Sequence, residues 1–297
     1  MRVNPDFAPN ILNDVWQAQA AEQTAMEELS TGRRVNLPSD DPAAFASDIQ
    51  NQAEQSSVDQ YLQNTSNLEG LFQTADSTLS SVVSSLNQAI SLGTEGANGT
   101  QSLSDQQALA AQVQSIQQQM VQLANTSYQG SYIFAGTAST TKPFTLDSTQ
   151  ADGVTYNGNT NTNSAQIADG RDIQTNVPGS QIFLASNGNV FLSLQQLVTA
   201  LNNGDTTAIG DATTALGTAL NSVSEQREFY GSAGQELTSN QTFLQQEQVN
   251  LQSQETTLVG ADMAQAATDL SQATTTHDAA LAALAKVIPT SLLDYLT

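Results

Sequence analysis

The feature that most constrains this chain is an unbroken spacing of apolar and small residues between positions 61 and 89. The steps alternate between four and three residues without a miss, at Tyr61, Thr65, Leu68, Phe72, Ala75, Leu79, Val82, Leu86 and Ala89. This is the pattern of the buried seam of a coiled coil. The sequence therefore predicts a long helix that packs along its length against a partner helix.

The ends of this helix are marked by residues that favour helix termini. Asp41 precedes Pro42, which suits an N-cap followed by the first helical position. The glycines at positions 93, 96 and 99 indicate its end. A helix of about 50 residues would be about 75 Å long, which is more than a compact domain usually holds. We therefore expect an elongated rod.

The pattern changes in the middle of the chain. A second helix is predicted over residues 105–127, and residues 131–136 are typical of a strand. Residues 137–190 are rich in Thr and Asn and contain turn dipeptides at Asp152-Gly153, Asn157-Gly158, Asp169-Gly170, Pro178-Gly179 and Asn187-Gly188. We interpret this segment as a small inserted β domain, and we expect the helices to fold without residues 140–185.

Helical spacing returns over residues 191–202 and then over a long C-terminal stretch. A large residue recurs every seven positions, at Leu216, Val223, Tyr230, Leu237, Leu244, Leu251 and Leu258. A second register begins at Val259, and this change of phase predicts a joint. Pro289 is expected to end the helix.

The N-terminal segment carries an apolar stripe as well, at Phe7, Ile11, Val15, Ala18, Ala25 and Leu29. Both ends of the chain are therefore predicted to be helical and to pair as a two-helix coiled coil. A pair with so little to cover it is marginal alone in water, so we expect it to bind neighbouring chains.

The predicted fold class is mainly α, an elongated rod of long antiparallel coiled-coil helices with a small inserted β domain. Three parts are expected. Residues 1–42 and 259–297 would form a terminal coiled-coil domain, and residues 43–136 and 191–258 a helical rod domain. Residues 137–190 would form the β-rich outer domain.

The charge of the chain excludes several classes of partner. It has 29 acidic and 7 basic residues, a net charge of −22, and no basic residue between Arg34 and Lys142. Phosphate binding needs clustered Lys and Arg, so neither nucleic acid nor a membrane surface is an expected partner. The first residues lack the layout of a cleaved signal peptide, so any export is expected to occur without one.

No catalytic, cofactor or metal site is predicted, and the chain is not expected to be an enzyme. It has no cysteine, and its one histidine, His277, has no second ligand beside it, so we expect packing or a subunit contact there. Asp40 and Asp41 are interpreted as helix caps, and Asp169–Asp172 as a hairpin turn rather than a calcium loop. Trp16 and Tyr295 could pack in the terminal pair or contact adjacent subunits.

The block from Glu28 to Ala43 (Glu-Leu-Ser-Thr-Gly-Arg-Arg-Val-Asn-Leu-Pro-Ser-Asp-Asp-Pro-Ala) resembles the N-terminal signature of the bacterial flagellin superfamily. The leucine-rich end at 291–296 is similar to the C-terminus of that superfamily. Within it, the stretch at 130–136 followed by Pro143-Phe144 resembles the hook-associated protein 3 branch (FlgL). In the signature of this superfamily, a single arginine usually precedes Ile or Val. This chain has two, so either Arg33 or Arg34 could make the contact of that arginine.

The resemblance implies a structural subunit at the junction of hook and filament, located outside the cell after type III export. Its implied partners are copies of itself in a ring, hook-associated protein 1, flagellin and an export chaperone. The terminal helices would form the inner tube, with the β domain outward. The candidate interface residues, from resemblance and pattern, are Leu29, Gly32, Arg33, Arg34, Asn36, Asp40, Asp41, Pro42, Leu270, His277, Leu284, Leu292, Leu293 and Leu296.

Three other functions fit parts of the sequence. A flagellin filament subunit is the nearest, although the stretch Tyr132–Gly136 argues against it. A helical-stalk adhesin would use the insert to bind glycans, but the insert has few aromatic residues to stack on sugars. An enzyme would need Asp152, Asp169 and Asp172 to converge in the insert.

Overall fold

Most of the chain is helical in the computed structural model. The structure describes residues 7–293 and the side chains of residues 12–285. The helices are α1 (Phe7–Thr31), α2 (Pro42–Gly96), α3 (Leu103–Ala124), α4 (Gly179–Phe183), α5 (Val190–Asn203), α6 (Thr206–Val259) and α7 (Met263–Leu293). The strands are β1 (Ser127–Tyr128), β2 (Ser131–Tyr132), β3 (Phe144–Leu146), β4 (Val154–Tyr156), β5 (Ser164–Ala168), β6 (Arg171–Gln174), β7 (Leu184–Ala185) and β8 (Gly188–Asn189). The prediction of a mainly α fold with long helices and a small β-rich insert is confirmed.

The chain divides into two compact units. One contains the residues up to Val58 and those from Gln246, and the other contains residues 59–245. We call them the terminal unit and the central unit. The helices α2 and α6 contribute to both.

The predicted seams form the core of the central unit. Of the nine seam positions on α2, the eight from Thr65 to Ala89 are buried and Tyr61 is half-buried. On α6 the heptad residues from Leu216 to Leu251 are buried as well. Between them lies a second row of small buried residues, at Ala212, Ala219, Ala233 and Asn240, which the sequence pattern did not indicate.

The described strands form four short antiparallel hairpins of two strands each, of which β1–β2 precedes the insert and the other three lie within it. Asp169-Gly170 is the turn between β5 and β6, as predicted, with Gly170 at a φ of 64°. Pro178-Gly179 was predicted as a turn but instead begins α4, because Pro178 fits the residue before a helix.

The strand predicted over residues 131–136 is wrong beyond Tyr132. Ile133, Phe134 and Ala135 are buried in a turn, and Gly136 adopts a φ of 70°. The N–H of Ile133 still bonds to Thr126 beside the β1–β2 hairpin, but the carbonyls of Phe134 and Ala135 bond to distant segments. The N–H of Gly179 donates to the carbonyl of Phe134 at 2.8 Å, and the N–H of Asn159 donates to Ala135 at 3.1 Å. Apolar composition therefore indicated burial correctly but not the backbone conformation.

Two helix boundaries also differ from those predicted. The second helix spans 103–124 rather than 105–127, because Ser102 and Asp105 form a reciprocal capping box at its start. The last helix continues through Pro289 to Leu293. Proline fixes φ at a value that a helix tolerates, so a helix can continue past it with the loss of one backbone hydrogen bond.

A buried tyrosine attaches the insert to α6. The N–H of Val177 donates a hydrogen bond of 3.1 Å to the hydroxyl oxygen of Tyr230, whose side chain is 1% exposed. Tyr230 also packs edge-on against Phe72 of α2, with ring centroids 5.6 Å apart. Burial raises the pKa of Tyr230 to about 12.

This pKa predicts a loss of stability at high pH. Since the folded-state pKa lies above the unfolded value of about 10, the stabilisation is complete below pH 10 and is lost as the pH rises to about 12. The loss should be about 3 kcal/mol. Urea unfolding across this range should show it, and Tyr230→Phe should remove most of the slope. Burial also raises the pKa of Tyr156, which leaves a smaller slope in both proteins. An unchanged slope in the variant would contradict the assignment.

Candidate assembly interface

The two terminal helices pair with each other. In this pair α1 ends where α7 begins in space, so the two helices run antiparallel. Small side chains fill the contact, with Val15, Ala18 and Ala25 of α1 and Ala266 and Ala273 of α7 buried. This agrees with the predicted pairing of the two ends.

A polar contact joins the same two helices farther along. His277 Nδ1 lies 2.8 Å from Glu22 Oε2, and both side chains are 21% exposed. The candidate residues Leu29, Leu270 and Leu284 are half-buried on the pair. His277 is therefore a packed residue of the terminal pair, which is one of the two predicted roles.

A second face of α1 carries three apolar side chains that remain exposed in the described part of the chain. Trp16 is 66% exposed, Met26 is 54% exposed and Leu12 is 42% exposed. At 100° per residue these three side chains fall within about 80° of one another, whereas the buried face toward α7 lies about 110° away. A largely exposed tryptophan on a helix is unusual for a monomer. Between the two roles considered for Trp16, this exposure favours contact with another subunit.

The signature block forms the turn between α1 and α2. Gly32 closes α1 with a φ of 69°, and its N–H donates to the carbonyl of Glu28 at 2.9 Å. This left-handed conformation favours glycine. The following residues lie beside the connection from α6 to α7, where Arg33 and Gly260 form an antiparallel bridge. The turn between α1 and α2 and the connection between α6 and α7 are therefore bonded to each other.

Arg33 and Arg34 make different contacts. The guanidinium of Arg33 forms ion pairs with the buried Asp48 of α2 and, at 2.9 Å, with Glu255 of α6. Arg34 is more exposed and donates to the carbonyl of Leu258 at 3.2 Å, with Asp41 3.5 Å away. Of the two arginines, Arg33 makes the stronger intrachain contact.

Asp41 caps α2, as predicted, whereas the prediction that Asp40 caps a helix is wrong, because Asp40 binds backbone N–H groups of the loop before it. Asp40 accepts hydrogen bonds from the N–H groups of Leu37 at 2.8 Å and Asn36 at 3.1 Å, and these bonds lower the pKa of Asp40. Asp41 accepts from the N–H of Ala44 at 3.0 Å in the first turn of α2, which lowers the pKa of Asp41. Pro42 is the first residue of that helix. These carboxylates are bound to backbone donors, which explains their presence without any catalytic role.

The candidate residues thus fall into three groups. Seven of them meet at the turn between α1 and α2, namely Gly32, Arg33, Arg34, Asn36, Asp40, Asp41 and Pro42. Leu29, Leu270, His277 and Leu284 lie on the terminal pair. Leu292, Leu293 and Leu296, together with Tyr295, lie outside the residues whose side chains are described.

Sequence reasoning missed Asp48 and Glu255, which pair with Arg33 of the turn, and Asn51, which donates to the carbonyl of Leu251 on α6 at 2.9 Å. Asn51 lies seven residues before Val58 and fourteen before Thr65, so the seam spacing could have found it. Asp48 is buried beside it but does not fit the spacing. Nothing in the local sequence pairs either carboxylate with Arg33.

Two features of the described part of the chain are relevant to membranes and metals, namely the apolar character of its long helices and the grouping of its His, Asp and Glu side chains. Over residues 7–293, helices with enough length lack the sustained apolar character needed to cross a bilayer. The described His, Asp and Glu side chains include no group of three placed to hold a metal ion.

Two family models match the chain on either side of the insert. Residues 7–139 match the bacterial flagellin N-terminal helical region, and residues 213–296 match the bacterial flagellin C-terminal helical region. Together these ranges span more than two thirds of the chain.

Relatives distinguish two branches of this family. Flagellar hook-associated protein 3 of Salmonella typhimurium is 29% identical over 252 residues, which cover 77% of this chain and 78% of that protein. The crystal structure of Bacillus cereus FlgL matches with a TM-score of 0.58 at 25% identity, over 71% of this chain and 99% of that one. Flagellin D of Vibrio cholerae is 27% identical over only 46% of this chain and 36% of that protein. The chain therefore belongs to the bacterial flagellin superfamily, in its hook-associated protein 3 branch.

Proposed function

We propose that this chain is a structural subunit of the bacterial flagellum that joins hook to filament by assembling with copies of itself through its terminal helices. The observation that carries the proposal is the exposed apolar face of α1, formed by Leu12, Trp16 and Met26, in a chain similar to hook-associated protein 3 over most of its length. A flagellin filament subunit is less supported, because Flagellin D of Vibrio cholerae matches only 46% of this chain and 36% of its own length.

The occupant of this face is a second copy of the chain. Transfer of exposed apolar area from water contributes about 25 cal/mol per Å², which offsets the loss of freedom on association. A separate groove follows the contact between α1 and α7, on a different side of α1 from this face, and part of its wall is made of alanine. It has a volume of about 290 Å³ and is lined by Ala18, Ala21, Asp269, Gln272, Ala273 and Thr276. A helix of a neighbouring copy can approach such walls closely.

The further partners follow from the same role. Hook-associated protein 1 would contact the ring on one side and flagellin on the other, and an export chaperone would cover the terminal helices before assembly. The chain would act outside the cell after type III export, without catalysis. The candidate interface residues Leu292, Leu293 and Leu296 would add to the apolar contact at the C-terminal end.

Trp16→Ala tests the proposal on the exposed face. Because Trp16 is mostly exposed in the monomer, its truncation should change the free energy of unfolding by no more than about 0.5 kcal/mol. In a flagellated strain lacking its own junction subunit, the unchanged chain should restore attached filaments, and Trp16→Ala should release most flagellin unpolymerised. Attached filaments at the normal number with this variant would count against the face.

The matched control is Gln17→Ala, an exposed position next to Trp16 in sequence that lies about 100° away from it around α1. It should attach filaments normally. Trp16 is the only tryptophan, so its fluorescence also reports on assembly directly. The emission of the purified protein should shift to the blue as its concentration rises, and a constant emission in assembled material would show that Trp16 stays in water. Failure of the unchanged chain to restore any filament would overturn the junction role itself.

A further inference from the structure

Two separate connections of the chain run side by side in the terminal unit. One joins α1 to α2 and the other joins α6 to α7. The N–H of Arg34 donates to the carbonyl of Val259 at 2.7 Å, and the N–H of Ala261 donates to the carbonyl of Gly32 at 2.9 Å. These two bonds flank the bridge between Arg33 and Gly260. We call this pair of bonded connections the joint.

Particular residues fix the backbone conformation of both connections in the joint. A Cβ at Gly260 would collide with the carbonyl oxygen of Thr256, so only glycine fits there without a shift. Asp262 then caps α7 by accepting from the N–H of Ala264 at 2.9 Å. On the other side Asn36 donates its side-chain amide to the carbonyl of Arg33 at 2.9 Å. The two connections are therefore held together before any ion pair is considered.

The side chain of Arg33 extends from the joint to both long helices. It pairs with Asp48 on α2 and with Glu255 on α6. Each carboxylate has an amide partner as well, since Gln52 donates to Asp48 at 2.8 Å and Gln55 donates to Glu255 at 3.0 Å. Among the described residues, Arg33 therefore forms an ion pair with one carboxylate on α2 and with one on α6.

The buried charge of Asp48 is stabilised by its ion pair with Arg33. Its side chain is 2% exposed, and its Oδ1 atom has no hydrogen-bond partner among the described residues. A carboxylate taken out of water is costly unless it is paired, so loss of Arg33 would leave a buried charge with one amide donor. The cluster also has two carboxylates and one cation, so nothing else in it can replace the arginine.

We propose that Arg33 is a positioning residue that fixes the direction of the α1–α7 pair relative to the adjoining ends of α2 and α6 within the terminal unit. The backbone bonds keep the two connections together but leave their common direction free to pivot. The ion pairs remove that freedom because they attach the joint to both helices at once. This property belongs to the monomer and is independent of the junction role.

Distance measurements on the monomer test this. The chain has no cysteine, so Gln23→Cys on α1 and Ser56→Cys on α2 place two spin labels at exposed sites without further changes. The otherwise unchanged protein should give one narrow distance distribution. Arg33→Gln should at least double its width, while α1 and α7 keep their helical signal. A distribution as narrow as that of the starting protein would overturn the proposal.

Arg34→Gln is the matched control, since it removes a neighbouring charge with only exposed contacts, and it should leave the width unchanged. Equal broadening in both variants would show a loss of charge rather than of these ion pairs, and would overturn the proposal. If Arg33→Gln unfolds the terminal unit, Glu255→Gln decides instead, because it removes one of the two links and keeps Asp48 paired. Intermediate broadening in Glu255→Gln supports the proposal, and an unchanged width contradicts it.

Discussion

Deletion of residues 140–185 should unfold the central unit. The sequence favoured the opposite result, a shorter protein with intact helices. The packing of the insert argues against this expectation. Side chains from the deleted segment lie in the same buried cluster as α2, α3, α5 and α6, including Phe144, Val154, Ile167, Ile173, Val177, Ile182 and Phe183. Each large apolar side chain contributes about 1.5–3 kcal/mol when fully buried. A whole domain is stable by only about 5–15 kcal/mol, so this loss exceeds what the unit can tolerate.

Circular dichroism and thermal unfolding measure the result. The deleted protein should lose much of its helical signal and its cooperative transition. The control is a shortened hairpin in which residues 147–153 are replaced by Asn-Gly, which keeps Phe144 and Val154 and allows a tight turn between β3 and β4. The control should unfold cooperatively near the starting temperature. A deletion variant with full helicity and a sharp transition would show that the helices carry the core alone.

The long seams could be predicted because they depend on spacing along one helix. From Thr65 to Ala89, each step of three or four residues returns the side chain to the same face, so local sequence alone determines which residues are buried. The same reasoning found the start of α2 at Pro42, since a cap and a proline act within one helical turn. It also placed a joint near Val259, where the structure has a helix break before α7.

Features that depend on distant residues could not be predicted. The turn at Ile133–Gly136 is stable because Gly179 and Asn159 supply donors for its carbonyl groups, and neither lies near it in sequence. The role of Arg33 rests on Glu255, which is 222 residues away. The resemblance left Arg33 and Arg34 as alternatives and carried no information about which of them has carboxylates within reach.

Phe144 should be one of the most sensitive positions of the central unit. Its side chain is fully buried, and its ring lies 5.0 Å from that of Tyr156 and 5.4 Å from those of Phe183 and Phe191. The side chain of Asn125 also holds its backbone, accepting from the N–H at 2.8 Å and donating to the carbonyl at 2.9 Å. These bonds prevent the strand from moving inward to fill a cavity. Phe144→Ala should therefore cost about 3–5 kcal/mol.

Leu146 provides the matched control for Phe144 because it lies two residues away on the same strand. It is 58% exposed, so Leu146→Ala removes a similar apolar group without leaving a cavity, and it should change the free energy of unfolding by no more than about 0.5 kcal/mol. Urea unfolding followed by circular dichroism gives both values. If the two variants lose similar stability, the effect comes from strand propensity and not from burial. If Phe144→Ala costs less than about 1 kcal/mol, far below the range for a well-packed buried phenylalanine, the aromatic cluster does not hold the insert against α5.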